Sequence, residues 1–204
     1  MEPELTDRQK DELRELGNVG AGRASRYLSD LVDHRVDISI PEVEVVNLEE
    51  EDVTRKMFQE DPDQKVTAVV IPLKDVGGLI VFIFEQDDYQ NFLTQWRGKD
   101  GEEGPQKNFM EVSKEVGDFY IEALQNLLDI DLETEEPKLM TLDMNALTIH
   151  TTSGINSSCG PDRNCVLAIN TDMEIADLKS GITMLLEHDQ VEKILDSMKE
   201  QLQE

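Results

Sequence analysis

Asp11, Glu15 and Asn18 are separated by four and three residues near the start of the chain. On a helix advancing about 100° per residue they share one arc with Gly22. Leu13, Leu16, Gly20, Ala24, Tyr27, Leu28 and Leu31 occupy the opposite arc. Two carboxylates and a carboxamide, which both donates and accepts hydrogen bonds, thus share one face. On a generic acidic helix the same three residues would be a solvated polar face. Gly17, Gly20 and Gly22 argue against that, because each mid-helix glycine costs about 1 kcal/mol relative to alanine. Such a cost is tolerated where a neighbour or a partner must approach the backbone closely. The order Gly-x-x-Gly-x-Gly lies inside an amphipathic helix with no preceding strand, so it is not a dinucleotide fingerprint.

The elements that must position this face follow from patterning. A helix starts at Thr6, with Gln9 completing a capping box, and runs to about Asp33. Arg35 to Asn47 is extended and interrupted by Pro41, which implies an edge or a bend. Glu50 to Glu60 is a short helix, its acidic start (Glu49 to Asp52) suiting the helix dipole. Lys65 to Leu73 and Gly78 to Phe84 form a hairpin, and Gln86 to Trp96 a short helix. Residues 98–107, Gly-rich and ending near Pro105, read as a linker. The order then repeats. A long helix spans Asn108 to Ile130, an extended stretch Lys138 to Leu142, and Asn145 to Thr152 is ambiguous. A polar loop runs from Ser153 to Asn164, Cys165 to Ile175 and Gly181 to Leu186 form a second apolar pair, and Asp189 to Leu202 closes the chain as a helix. Glu15-Leu-Gly matches Glu115-Val-Gly at an offset of 100. The expectation is one domain over residues 1–204, made of repeats at about 6–98 and 107–204 that share a single core.

Composition narrows the function classes. The 204 residues carry 45 acidic and 19 basic groups, a formal net charge of −26. No basic cluster suits nucleic acid. The longest apolar run, Leu79 to Phe84, is far too short for a bilayer. The acidic N-terminus has no signal-peptide character, so the chain is expected to be cytoplasmic. The acids are spread along the sequence, and the helical and strand periods argue against disorder. Binding of a basic partner is one reading; adaptation to molar salt, where screening over roughly 3 Å relieves self-repulsion, is the favoured one.

Asp11-x3-Glu15-x2-Asn18-x22-Pro41, within Glu15-Leu-Gly-Asn-Val-Gly-Ala-Gly-Arg-Ala-Ser25, resembles the signature of the CheC, CheX and FliY family of chemotaxis phosphatases. The two-half organisation is similar as well. The resemblance implies an α/β (α+β) fold: a pseudo-twofold duplication in which a central sheet presents two long helices on one side. It implies dephosphorylation of phosphorylated CheY, a response regulator that carries its phosphate on an aspartate. Glu15 would pair with the regulator's lysine, Asn18 would orient the attacking water, and Asp11 and Pro41 would be structural flanks. The Mg²⁺ would belong to CheY, and no cofactor or metal is expected in this chain. A non-catalytic adaptor that binds CheY or the deamidase CheD is the alternative.

In the second half the corresponding positions are Glu111, Glu115 and Asp118; Glu115 keeps the pattern, and Glu111 departs from it at the flank. Asp118 replaces the amide and would be repelled by an acyl phosphate. Thr141 stands where the second proline would fall, Pro137 being nearest. One working site and one degenerate site are therefore expected. Cys159 and Cys165 lack zinc-site spacing. His34, His150 and His188 sit in no nucleophile-and-base motif, and Trp96 reads as a packing residue.

Overall fold

The computed structural model describes residues 5–49, 51–74, 77–95, 105–128, 132–156, 165–175, 177–187, 190 and 193. The first helix, α1, spans Asp7–Val32. Its capping box is formed: the Thr6 amide donates to Gln9 Oε1 at 2.9 Å, and the Gln9 amide donates to Thr6 Oγ1 at 3.3 Å. Asp33 ends the helix in the left-handed region at φ 54°. Pro41 divides the extended segment into β1 (Val36–Ile38) and β2 (Glu42–Asn47). Then follow α2 (Val53–Phe58), β3 (Lys65–Lys74), β4 (Gly78–Glu85) and α3 (Gln86–Gln95).

The second half runs α4 (Pro105–Leu128), β5 (Glu133–Thr134), β6 (Lys138–Asp143), α5 (Met144–Asn156), β7 (Cys165–Ile175) and β8 (Leu178–Glu187). Two expectations shift. The linker expected to reach residue 107 gives way to α4 at Pro105, because proline suits the first helical position, where its missing N–H would be unpaired anyway. The ambiguous segment from Asn145 is helical and continues through Ser153 to Asn156. Residues 98–104, Trp96, Cys159, His188 and most of the closing helix lie outside the described residues.

All strand pairs are antiparallel, in the order β1-β7-β8-β4-β3-β5, with β2 also on β7 and β6 also on β3. The two halves exchange edges: β1 and β2 extend the β7–β8 hairpin, and β5 and β6 extend β3–β4. β3, β4, β7 and β8 are buried on both faces, which is why they read as continuous apolar runs rather than alternating ones. One face packs under α1, α3 and α4, where Leu13, Leu16, Leu28, Val116 and Tyr120 meet Val69, Ile71, Leu167 and Ile169. Phe84, Tyr89, Phe92 and Phe109 form an aromatic cluster there, with ring centroids 5.2–6.3 Å apart. The other face packs under α2 and α5, around Met57, Phe58, Met144 and Leu147. The fold is thus mixed α/β, with a central antiparallel sheet and the two long helices on one side, as expected.

Candidate functional site

On α1 the apolar arc is buried as the period demands, with Leu13, Leu16, Gly17, Gly20, Ala21, Ala24, Ser25 and Leu28 facing inwards. Asp11, Glu15 and Asn18 are all exposed. Asp11 is neutralised on the helix surface by Arg14, its Oδ1 accepting from Nη1 at 2.9 Å. Glu15 and Asn18 have no hydrogen bond or ion pair among the described residues. Three residues apart on a helix, their Cβ atoms lie about 5–6 Å from one another. A carboxylate and a carboxamide therefore project side by side, both unengaged.

The backbone beneath them is held tightly. A Cβ placed on Gly17 would lie 2.8 Å from Ile169 Cγ2, and 3.1 and 3.2 Å from Cβ and Cγ of Pro41. The buried Pro41 ring and an isoleucine of β7 thus seat α1 against the sheet at the residue preceding Asn18. One turn on, a Cβ on Gly20 would meet the Tyr120 ring of α4 at 3.0–3.2 Å. Gly17 fits the sheet edge and Gly20 fits α4. Gly22 differs: nothing lies within 4 Å of its Cβ position.

The equivalent face of α4 is also exposed at Glu111, Glu115 and Asp118, but Glu115 and Asp118 are engaged. Tyr27 of α1 donates its hydroxyl to Glu115 Oε2. Burial, and then the Glu115 carboxylate, push the Tyr27 phenol well above its usual value near 10, so it stays a donor. Lys114 Nζ lies 2.9 Å from Asp118 Oδ2 and donates to Thr134 Oγ1 at 3.1 Å, and Thr134 donates its hydroxyl to Asp118 Oδ1. Arg23 reaches Glu122 across the helix pair at 3.3 Å. Gly117 repeats the close fit of Gly17, its Cβ position 2.9 Å from Ile71 Cδ1, yet no proline is among the atoms nearest to it. Pro137 immediately precedes β6 as Pro41 precedes β2, so it is the counterpart in topology, at shorter spacing. It does not lie within 4 Å of the Gly117 Cβ position.

Sequence reasoning placed Tyr27 on the apolar arc and noted Pro137 as the nearest proline, but gave no site role to either, and did not single out Lys114, Thr134 or Ile169. Two signals could have found some of them. Lys114 stands one helical turn before Asp118, and Tyr27 at an offset of 100 faces Leu127, an asymmetry between halves that otherwise match.

Elsewhere, a groove of about 570 Å³ is lined by Asp37, Glu60, Glu85, Asp172 and Glu174 with Lys179, and not by Glu15 or Asn18. Burial, with Glu85 and Asp172 nearby, holds the Glu60 carboxyl above its usual range, Lys179 partly opposing them. Among the described residues no group of three or more His, Cys, Asp and Glu could hold a metal ion. Cys165 is buried at the start of β7, and His34 and His150 are exposed and apart from the α1 face. No helix among the described residues is long and apolar enough to cross a membrane.

No family model matches the chain. The CheY-P phosphatase CheC of Bacillus subtilis (strain 168) is 24% identical over 205 residues, which cover 93% of this chain and 93% of that protein. FliY of Thermotoga maritima superposes with a TM-score of 0.68 at 20% identity, over 96% of this chain and 98% of the other. The middle domain of FliM from H. pylori superposes with a TM-score of 0.61 at 12% identity, over 95% and 99%. The likeness to FliY and FliM is one of fold.

Proposed function

We propose, taking the chain to be a CheC-like chemotaxis protein of the CheC/CheX/FliY family, that it hydrolyses the aspartyl phosphate of phosphorylated CheY. The observation that carries this reading is the contrast between the two helix faces. Glu15 and Asn18 project unengaged from a backbone seated by Pro41 and Ile169, whereas Glu115 and Asp118 are tied to Tyr27, Lys114 and Thr134.

In this mechanism Glu15 pairs with a lysine of the regulator, which fixes the height and angle at which α1 enters. The Asn18 carboxamide reaches the acyl phosphate and holds a water in line with the phosphorus–oxygen bond to be broken. The amide group has both a donor and an acceptor, so it orients the water while adding no negative charge, as the water-positioning glutamine of GTPases does. The Mg²⁺ that relieves the phosphate's charge is CheY's. Catalysis therefore consists of positioning, and the close fit at Gly17 and Pro41 is what positioning requires. Asp118 lacks the donor, and its charge opposes approach to a phosphoryl group. A projecting pair outside the groove suits a macromolecular substrate, whose own cleft holds the reacting atoms, better than a small one.

The test is the decay of phosphorylated CheY in molar KCl with and without the protein. Asn18→Ala should slow the accelerated decay by about 10- to 1,000-fold, as loss of one oriented polar group does. Acceleration that survives Asn18→Ala overturns the assignment of the site. The second reading, an adaptor for CheY or CheD, is favoured by the engaged second face. It predicts binding with no acceleration by the unaltered protein.

A further inference from the structure

Helix-interior glycines need a reason, and for Gly17, Gly20 and Gly117 the reason is internal. Ile169 and Pro41, the Tyr120 ring, and Ile71 each occupy the space a Cβ would take. Gly22 lies ten residues before the end of α1 and has open space around it, so no intramolecular contact demands it. Gly154, the other open helical glycine, sits near the C-terminal end of α5, where glycine is easily accommodated.

Gly22 is not alone on that surface. The exposed large hydrophobic residues among the described ones are Val19, Ile40 and Ile149, at 41%, 79% and 59% exposure. Scattered singly, such residues need no explanation. Here Val19 directly follows Asn18, and Ile40 directly precedes Pro41, whose ring touches Gly17. Placing Gly17 at 0° on the helical wheel puts Asn18 at about 100°, Gly22 at about 140°, Glu15 at about 160° and Val19 at about 200°. Asn18 therefore stands between two apolar flanks, Ile40 on the sheet-edge side and Val19 on the α4 side. The bare backbone of Gly22 lies one turn further on. The adjacent Glu15 carboxylate is unengaged and calls for a cationic group on the occupant.

We propose that Gly22 is where the backbone of phosphorylated CheY crosses α1, with Val19 and Ile40 as the apolar contacts that select this partner. The proposal rests on the phosphatase reading and adds to it the residues that determine specificity. The occupant must present a lysine and an acyl phosphate ringed by apolar surface, with a chain segment close enough to α1 that a methyl group at position 22 would hold it off. Gly22 touches no reacting atom. It governs affinity, while Asn18 governs turnover.

The experiment measures KM and kcat for phosphorylated CheY in molar KCl, together with the thermal midpoint, for Gly22→Ala, Ile40→Ala and, as a control, Gly154→Ala. Gly22→Ala should raise the midpoint by about 2–4 °C, since alanine is the better helix former and meets no obstacle. It should also raise KM about tenfold, with kcat changed much less. A more stable protein that binds its substrate worse is not what a structural role at position 22 would produce. Ile40→Ala should raise KM about three- to tenfold, and Gly154→Ala should leave KM within twofold. A wild-type KM in Gly22→Ala overturns the proposal and leaves the phosphatase reading standing. If the unaltered protein accelerates nothing but binds CheY trapped with beryllofluoride, the same variants are read by titration, and an unchanged Kd for Gly22→Ala overturns the proposal. Absence of binding to trapped CheY overturns both.

Discussion

Replacing Gly17 by alanine tests whether the seat beneath Asn18 constrains the helix. Alanine would contribute about 1 kcal/mol of helix propensity. Against that, the new Cβ would stand 2.8 Å from Ile169 Cγ2 and 3.1–3.2 Å from the Pro41 ring. Carbon atoms prefer separations of about 3.5–4.0 Å, so α1 must lift by roughly 0.5–1 Å. Neither neighbour can easily yield. Ile169 is 1% exposed in the middle of β7, and Pro41 is a buried ring with a fixed φ. Overpacking of this kind costs about 1–3 kcal/mol. The balance is a net destabilisation between about 0 and 2 kcal/mol, and for a chain of this size each kcal/mol lowers the midpoint by about 2–4 °C. The functional effect should be larger than the loss of stability. A displacement of about 1 Å at position 17 is passed directly to Asn18, and misplacement on that scale costs about 100-fold in rate. Denaturant unfolding and phospho-CheY decay in molar KCl, read at a temperature where the variant is folded, separate the two. Ile169→Ala, itself costly as the truncation of a buried side chain, should destabilise less in the Gly17→Ala background than alone, with a coupling of about 1 kcal/mol. A variant that is more stable by the full propensity gain and retains its rate would refute the reasoning, because the contact would then constrain nothing.

Two further outcomes follow from the site and the groove. Asp118→Asn should not restore phosphatase activity to Asn18→Ala, because Lys114, Thr134 and Tyr27 would still engage the α4 face; rescue of more than tenfold would show that the amide alone was missing. The Glu60 carboxyl is held above its usual value near 4.5, so the folded state binds its proton more tightly than the unfolded chain does. Its contribution to stability is therefore fullest below about pH 4.5 and is lost as pH rises through the raised folded value. Glu60→Gln should flatten that slope and stabilise the protein at pH 7 in low salt, by no more than about 1 kcal/mol for a partly buried group. In molar KCl the gain should shrink. A destabilised Glu60→Gln with the original pH slope would count against the groove's electrostatics.

The parts legible in the sequence are those fixed by local physics. The capping box at Thr6 and Gln9, the buried arc of α1 and the apolar central strands each follow from short-range patterning, and each stands where the pattern puts it. The exposed face with Glu15 and Asn18 follows from the same period. What was not legible depends on which strands meet. Nothing local announces that β1 and β2 pair with β7 rather than with β3 or β4 of their own half, so Ile169 could not be recognised as the neighbour of Gly17. For the same reason Tyr27, placed on the apolar arc by period alone, carries a polar tip that leaves the core and ends on Glu115. Its ring still packs, 5.1 Å from Phe119, so the wheel described the body of the side chain and missed its hydroxyl.

The exchange of edges makes the fold independent of the polar residues that either long helix presents. Each half needs the other's β1–β2 or β5–β6 edge to complete its sheet, so the architecture demands both halves but places no demand on either polar face. Where α1 meets α4, the glycine of one helix receives the tyrosine of the other: Gly20 accommodates Tyr120. At the next such level the pairs diverge. Tyr27 reaches Glu115, while the position 100 residues on is Leu127, which has no hydroxyl to offer Glu15. That difference ties down one acid and leaves the other unengaged. The remaining changes point the same way, since Asp118 lacks an amide and Pro137 provides no wedge beside Gly117. On the proposed reading the second face falls short at three separate points, in its carboxylate, its amide position and its seat. Restoring any one of them leaves the other two, which is why we expect the single substitution Asp118→Asn to fail.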